Sequence, residues 1–299
     1  MNLNKFIILL PIIFIFFAFV QKENKNEIIQ PGAQLEKLAD GFLFTEGPTS
    51  DAKGNVYFTD QPNNRIMVWS NDDKLSTFMQ PCGRSNGLAF DKEGYLWACA
   101  DEKNELWQIA ADKSVKIIPS KYNDKPLNGP NDLWITHNGG VYFTDPYYKR
   151  LWWSNTSMPQ DIQGVYYLSP DHKNIIRVIE DMVQPNGIVG SPDGRTLYVA
   201  DIGGKKTWSY SINKDGGLSN KTFFCEMGSD GMTIDVNGNI YLTGNGVTIF
   251  DKNGNQIGKI AVPESWTANV CFGGKDMKSL FITASKGLYR IRTCIKGAC

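Results

Sequence analysis

One short phrase is written six times in this chain, and it leaves few folds open. It reads N-V-Y-F-T-D at 55–60, Y-L-W-A-C-A-D at 95–101, V-Y-F-T-D at 141–145, T-L-Y-V-A-D at 196–201, N-I-Y-L-T-G at 239–244 and S-L-F-I-T-A-S at 279–285. The aligned aromatics Tyr57, Trp97, Tyr142, Tyr198, Tyr241 and Phe281 are 40, 45, 56, 43 and 40 residues apart. Each copy follows a turn, as at 51–54, 91–94 and 235–238. A β-branched and aromatic run after a Gly/Asn/Asp turn is the second strand of a hairpin. A repeat of this length is a four-stranded blade, and several blades close into a ring. Six copies predict an all-β fold, a six-bladed β-propeller with four antiparallel strands per blade.

In the first repeat the strands are expected at 48–50, 55–60, 65–69 and 75–79, and the fifth repeats the outer two at 247–251 and 257–262. The last repeat runs out of chain after 287–292, so its outer strand is expected from the N-terminal segment 33–42. That strand closes the ring and removes the exposed edges. The third repeat carries an aromatic insertion at 146–163, which loop statistics make functional or disordered; a plug on a neighbouring blade and a pocket wall are both open. The propeller is expected over 33–295, with a linker at 22–32 and a tail at 296–299. In residues 1–21, Lys5 precedes an apolar run of 15, which suits a secretory signal peptide better than a full membrane span. An uncleaved anchor is the alternative, and contact with a membrane is expected only through that segment. Either way the folded part is exported, to the periplasm or beyond. Six cysteines fit an oxidising compartment, with Cys294 and Cys299 best placed to pair.

Five residues before each turn stand Glu46, Asn86, Asn131, Asn186, Asp230 and Asn269. Innermost strands of a propeller line its channel, so these six are expected to meet at the channel mouth. Asn and Asp also favour turns through local hydrogen bonds, which offers a structural reading of the asparagines. Glu46 fits that reading badly. Carboxylate and amide oxygens suit a hard divalent cation, calcium first, with magnesium and manganese as alternatives. Zinc is less favoured, because the ring holds no histidine or cysteine and the chain has no C-x-x-C pair. Lys+Arg 31 against Asp+Glu 31 gives no basic face for nucleic acid.

The phrases E-G-P at 46–48, N-G-P-N-D-L at 128–133, F-T-D-P at 143–146, Q-P-N-G-I at 184–188 and S-D-G-M-T-I-D at 229–235 together resemble the gluconolactonase family, also called the regucalcin or senescence-marker-protein-30 family. The resemblance covers about 35–295. It implies a six-bladed propeller that hydrolyses a sugar lactone, with a divalent ion held by Glu46, Asn186 and Asp230 and with Asn131 facing the substrate. Animal members carry an Arg two residues before that Asn, where this chain has Gly129, so their particular sugar contacts do not carry over. Asn128 and Asn86 are further candidates for hydroxyl contacts. Only His137 and His172 exist, and the repeat pattern places both in turns, so a histidine-dependent serine triad is not expected. A carboxylate at the metal remains as general base, and Asp230 is the choice. An esterase or organophosphate hydrolase on the same site, or a calcium-braced binding propeller without catalysis, are the competing readings.

Overall fold

The structure, a computed structural model, describes residues 27–298 apart from 119, 155 and 156. The leader or anchor read at 1–21 and the pairing of Cys294 with Cys299 lie outside the described residues.

Six four-stranded antiparallel sheets stand around a central channel, each numbered here as a blade and described from the channel outward. Blade 1 is Thr45–Ser50, Val56–Asp60, Arg65–Trp69 and Leu75–Met79. Blade 2 is Ser85–Phe90, Leu96–Ala100, Glu105–Ile109 and Val115–Ile118. Blade 3 is Leu133–Ile135, Val141–Asp145, Gly164–Leu168 and Ile175–Ile179. Blade 4 is Pro185–Gly190, Thr196–Asp201, Lys206–Ile212 and Leu218–Cys225. Blade 5 is Met232–Ile234, Ile240–Gly244, Gly246–Phe250 and Gln256–Ile260. Blade 6 takes Thr267–Gly273, Ser279–Ala284 and Gly287–Arg292 from the end of the chain. Its outer strand is Glu36–Ala39, antiparallel to Gly287–Arg292, so the first strand closes the ring as expected. Within the stretch read as linker, Ile28 is buried against blades 5 and 6, and Ile29 bridges to Thr293.

The recurring phrase is buried on both faces, and this explains its composition. In Val141–Asp145, Val141 and Phe143 enter the cluster between blades 2 and 3, while Tyr142 enters the one between blades 3 and 4. Side chains on a strand alternate faces, so one strand serves two interfaces and needs apolar residues throughout. Six apolar clusters fill the six seams of the ring. The tryptophans Trp69, Trp97, Trp107 and Trp208 all pack at these seams.

The aspartates ending second strands do structural work. Asp60 Oδ1 accepts the amides of Leu43 and Phe44, Asp145 those of Asn128 and Gly129, and Asp201 those of Val183 and Gln184. In each case these are the third and second residues before the ring position, so the aspartate ties down the loop that delivers the ring side chain to the channel.

Candidate functional site

The ring residues reach the channel mouth because the inner strands are irregular where they begin. Pairing with the second strand slips between Glu46 and Thr49, between Ser85 and Leu88 and between Pro185 and Ile188. Such bulges turn a side chain out of the pleat, and Glu46, Asn86 and Asn186 sit within them. In blades 3 and 5 the residues Asn131 and Asp230 precede the inner strand altogether. The glycine that follows four of the six is required by crowding. A Cβ on Gly47, at φ 42°, would lie 2.0 Å from the carbonyl oxygen of Asn86, and one on Gly231 would meet the Asn269 side chain at 1.9 Å. The E-G, N-G and D-G pairs therefore record how closely neighbouring inner strands approach.

Glu46, Asn86, Asn131 and Asp230 line one cavity of about 310 Å³. Asn186 joins them through its Nδ2, which donates to Asp230 Oδ1 at 2.7 Å and to the Tyr148 hydroxyl at 2.8 Å. Trp266 Nε1 donates to Asp230 Oδ2 at 2.6 Å. The side chains of Asn86 and Asn131 face the cavity and make no hydrogen bond among the described residues. The two other wall residues of note are Tyr148 and Arg150, both from the 146–163 insertion, which is thereby a pocket wall.

Two of the expected positions are not brought to this cavity. Asn128 is fully buried and spent on architecture: its Nδ2 donates to the carbonyls of Asp145 and Ile162, and its Oδ1 accepts the Gln160 amide. It fastens the insertion to blade 3 and has no polar atom left for a substrate. Asn269 points down the channel, where its Nδ2 lies 3.5 Å from Asp132 Oδ2, and it lines the cavity at the opposite end. Trp266 takes the sixth place beside Asp230. Sequence reasoning passed over Trp266, Arg150 and Asp132; all three act through contacts between blades, which no local pattern marks. Gly129, where the chain departs from the animal proteins, also has a reason here: a Cβ there would stand 2.6 Å from the Trp153 ring.

The electrostatics are those of a site short of positive charge. Burial, then the neighbouring charge of Asp230, pushes the Glu46 carboxyl well above the usual carboxylate range. Burial raises Asp230 to about 6, against the pull of Trp266, Asn186 and Arg150. Asp132, beneath them in the channel, is raised by burial to about 7. Asn186 Oδ1 is buried with no hydrogen-bond partner. An orphaned amide oxygen beside two desolvated carboxylates is the environment a hard divalent cation completes. Among the described residues no group of three or more His, Cys, Asp or Glu is placed to hold a metal; the oxygens gathered here come from carboxylates and carboxamides. His137 lines the cavity at the far end of the channel, and His172 packs edge-on against Trp97 in a turn, so neither reaches this site.

Comparison with known proteins gives the family. Residues 44–286 match the family model described as SMP-30/Gluconolactonase/LRE-like region. The gluconolactonase of Zymomonas mobilis is 30% identical, over 90% of this chain and 83% of its own. Lactonase drp35 of Staphylococcus saprophyticus is 29% identical, over 82% of this chain and 74% of its own. The solved structure of a gluconolactonase from Xanthomonas campestris superposes with a TM-score of 0.82 at 27% identity, covering 89% of this chain and 94% of that one. The chain belongs to the SMP-30/gluconolactonase/LRE-like family.

Proposed function

We propose that this protein is a lactonase that opens a sugar lactone with the help of a divalent cation held by Glu46, Asn186 and Asp230. The relatives named gluconolactonase and lactonase support the reaction class. The observation that carries the cation is the buried, unpartnered Oδ1 of Asn186, whose Nδ2 holds Asp230 at the wall that Asp230 shares with Glu46, both carboxyls displaced from their ordinary range. Oxygen donors alone favour calcium over zinc. When bound, the cation supplies Lewis-acid polarisation of the lactone carbonyl and stabilises charge developing on its oxygen.

The chain's own residues do the rest. Asp230, lining the cavity beside Glu46 and Asn131, is placed to accept a proton there as a general base should. It takes the proton of a water whose oxygen adds to the carbonyl carbon. The ring C–O bond then breaks, the proton passes to the leaving alkoxide oxygen, and a hydroxy acid results. Trp266 Nε1 and Asn186 Nδ2 hold the two carboxylate oxygens of Asp230 in place. The free amides of Asn131 and Asn86 offer donors and acceptors to lactone oxygens. Tyr148 fixes the rotamer of Asn186 through its hydroxyl.

The test is hydrolysis of δ-gluconolactone, an aryl ester and a phosphotriester by protein stripped with chelator and reloaded with calcium, magnesium, manganese or zinc. Lactone turnover that is lost on chelation and restored by calcium is the expected result. Turnover of only the phosphotriester or aryl ester, or full lactone activity in chelator, overturns the proposal. Export through the 1–21 segment is proposed with it, from the apolar run of 15 behind Lys5.

A further inference from the structure

Asp101 stands where Asp60, Asp145 and Asp201 stand in their blades, but its hydrogen bonds differ. The other three accept the loop amides ahead of the ring residue. In blade 2 the amides of Cys82 and Arg84 go instead to Asn64 Oδ1, at 2.9 and 2.8 Å. The Asp101 carboxylate is thereby released from the structural task. It accepts Gln61 Nε2 at 3.0 Å and pairs in charge with Arg150, whose Nε lies 3.0 Å away outside hydrogen-bond geometry. Its backbone carbonyl accepts Trp153 Nε1 at 2.6 Å, so Asp101 grips the insertion twice.

Arg150 is held as a rigid fork. Its guanidinium stacks on Tyr148, 5.1 Å from the ring centroid, and on Trp152 at 5.6 Å, and Arg84 also packs on Trp152 at 4.6 Å. Such cation–π contacts restrain the group between the two rings. With Nε turned to Asp101, the two terminal nitrogens have no protein partner among the described residues. They belong to a side chain that lines the cavity of Glu46, Asn131 and Asp230. The positive charge is already matched by Asp101, whose carboxyl at about 6 is ionised at neutral pH. A matched ion pair with two unspent, coplanar donors suits a neutral ligand rich in oxygens better than an anion.

We propose that Arg150 is the specificity-determining residue of the site, donating its two terminal nitrogens to adjacent hydroxyl oxygens of a polyhydroxylated lactone, with Asp101 as the positioning residue that aims it. The assignment rests on the lactonase reading above and adds to it the part of the substrate that is read. A site that donates to substrate hydroxyls discriminates against the analogue lacking them, because its donors are then left unpaired.

The experiment compares δ-gluconolactone with δ-valerolactone, the same ring without hydroxyls, using the full chain loaded with calcium. Arg150→Met keeps the packing stem and removes the donors. It is expected to lower kcat/KM for gluconolactone about 10- to 100-fold, mainly through KM, and to change valerolactone less than threefold. Arg150→Lys keeps the charge without the fork and is expected to fall between the parent and Met. Should the Met variant fail to fold, the Lys variant carries the test. Asp101→Asn is expected to show the same selective loss, smaller in size. Equal loss on both lactones, or no loss on either, overturns the assignment while leaving the lactonase reading intact. Turnover of neither lactone by the parent overturns that reading, and this assignment with it.

Discussion

Replacing Asp230 with asparagine is expected to make the protein more stable without metal and less stable with it. Burial holds the Asp230 carboxyl at about 6 in the folded chain, against an ordinary value of 3.8. The unfolded chain therefore loses this proton first. As pH rises from about 4 through about 6 the unfolded state binds fewer protons than the folded one, so stability falls across that window and stays low above it. A displacement of about two units corresponds to about 3 kcal/mol. The asparagine variant escapes this penalty but keeps only one acceptor for two donors, Trp266 Nε1 and Asn186 Nδ2. Facing a donor with a donor costs about 1–2 kcal/mol. The net gain for metal-free protein at pH 8 is about 1–2 kcal/mol, a rise in Tm of about 2–6 °C for a chain of this size. Calcium at 100 times its Kd stabilises the parent by about 2.7 kcal/mol, and the variant, having lost a carboxylate ligand, by far less. Scanning calorimetry in chelator and in calcium, at pH 8 and pH 4.5, reads all of this. The order of the two Tm values reverses between chelator and calcium at pH 8, and the variant's advantage in chelator disappears at pH 4.5. A variant less stable than the parent in chelator at pH 8, or one stabilised equally by calcium, would falsify the electrostatic account of the site.

Two further substitutions separate the site from its scaffold. Tyr148→Phe removes the acceptor that fixes Asn186 at 2.8 Å and is expected to weaken calcium binding about tenfold in titration calorimetry, with Tm nearly unchanged. Unchanged affinity rules out the orienting role. Asp201→Ala strips the acceptor from the amides of Val183, Gln184 and Gly204 and is expected to cost about 2–4 kcal/mol, seen as a Tm lower by roughly 5–10 °C. A loss below about 1 kcal/mol means that water replaces the carboxylate and the loop tie is dispensable.

The repeats were legible because the forces behind them are local. A strand buried on both faces must be apolar throughout, a tight turn must hold Gly, Asn or Asp, and both leave marks within ten residues. The blade number, the closing strand from 33–42 and the placing of Glu46, Asn86, Asn131, Asn186 and Asp230 at one mouth all follow from counting such marks. The same counting put Asn269 in the ring, and the N-G-P-N-D-L phrase offered Asn128 as a hydroxyl contact, because position along a strand does not register what a side chain meets across the channel. Asn128 meets the returning insertion and Asn269 meets Asp132.

By itself, then, the sequence determined the architecture and the oxygen-bearing ring, since both arise from periodic, nearest-neighbour constraints. Tertiary structure alone decided which ring members share a cavity, that burial leaves Glu46 and Asp230 displaced from their ordinary titration range, and that Tyr148, Trp266 and an Asp101-held Arg150 complete the wall. Those outcomes depend on desolvation and on partners 36 to 49 residues away, brought together only when the ring closes.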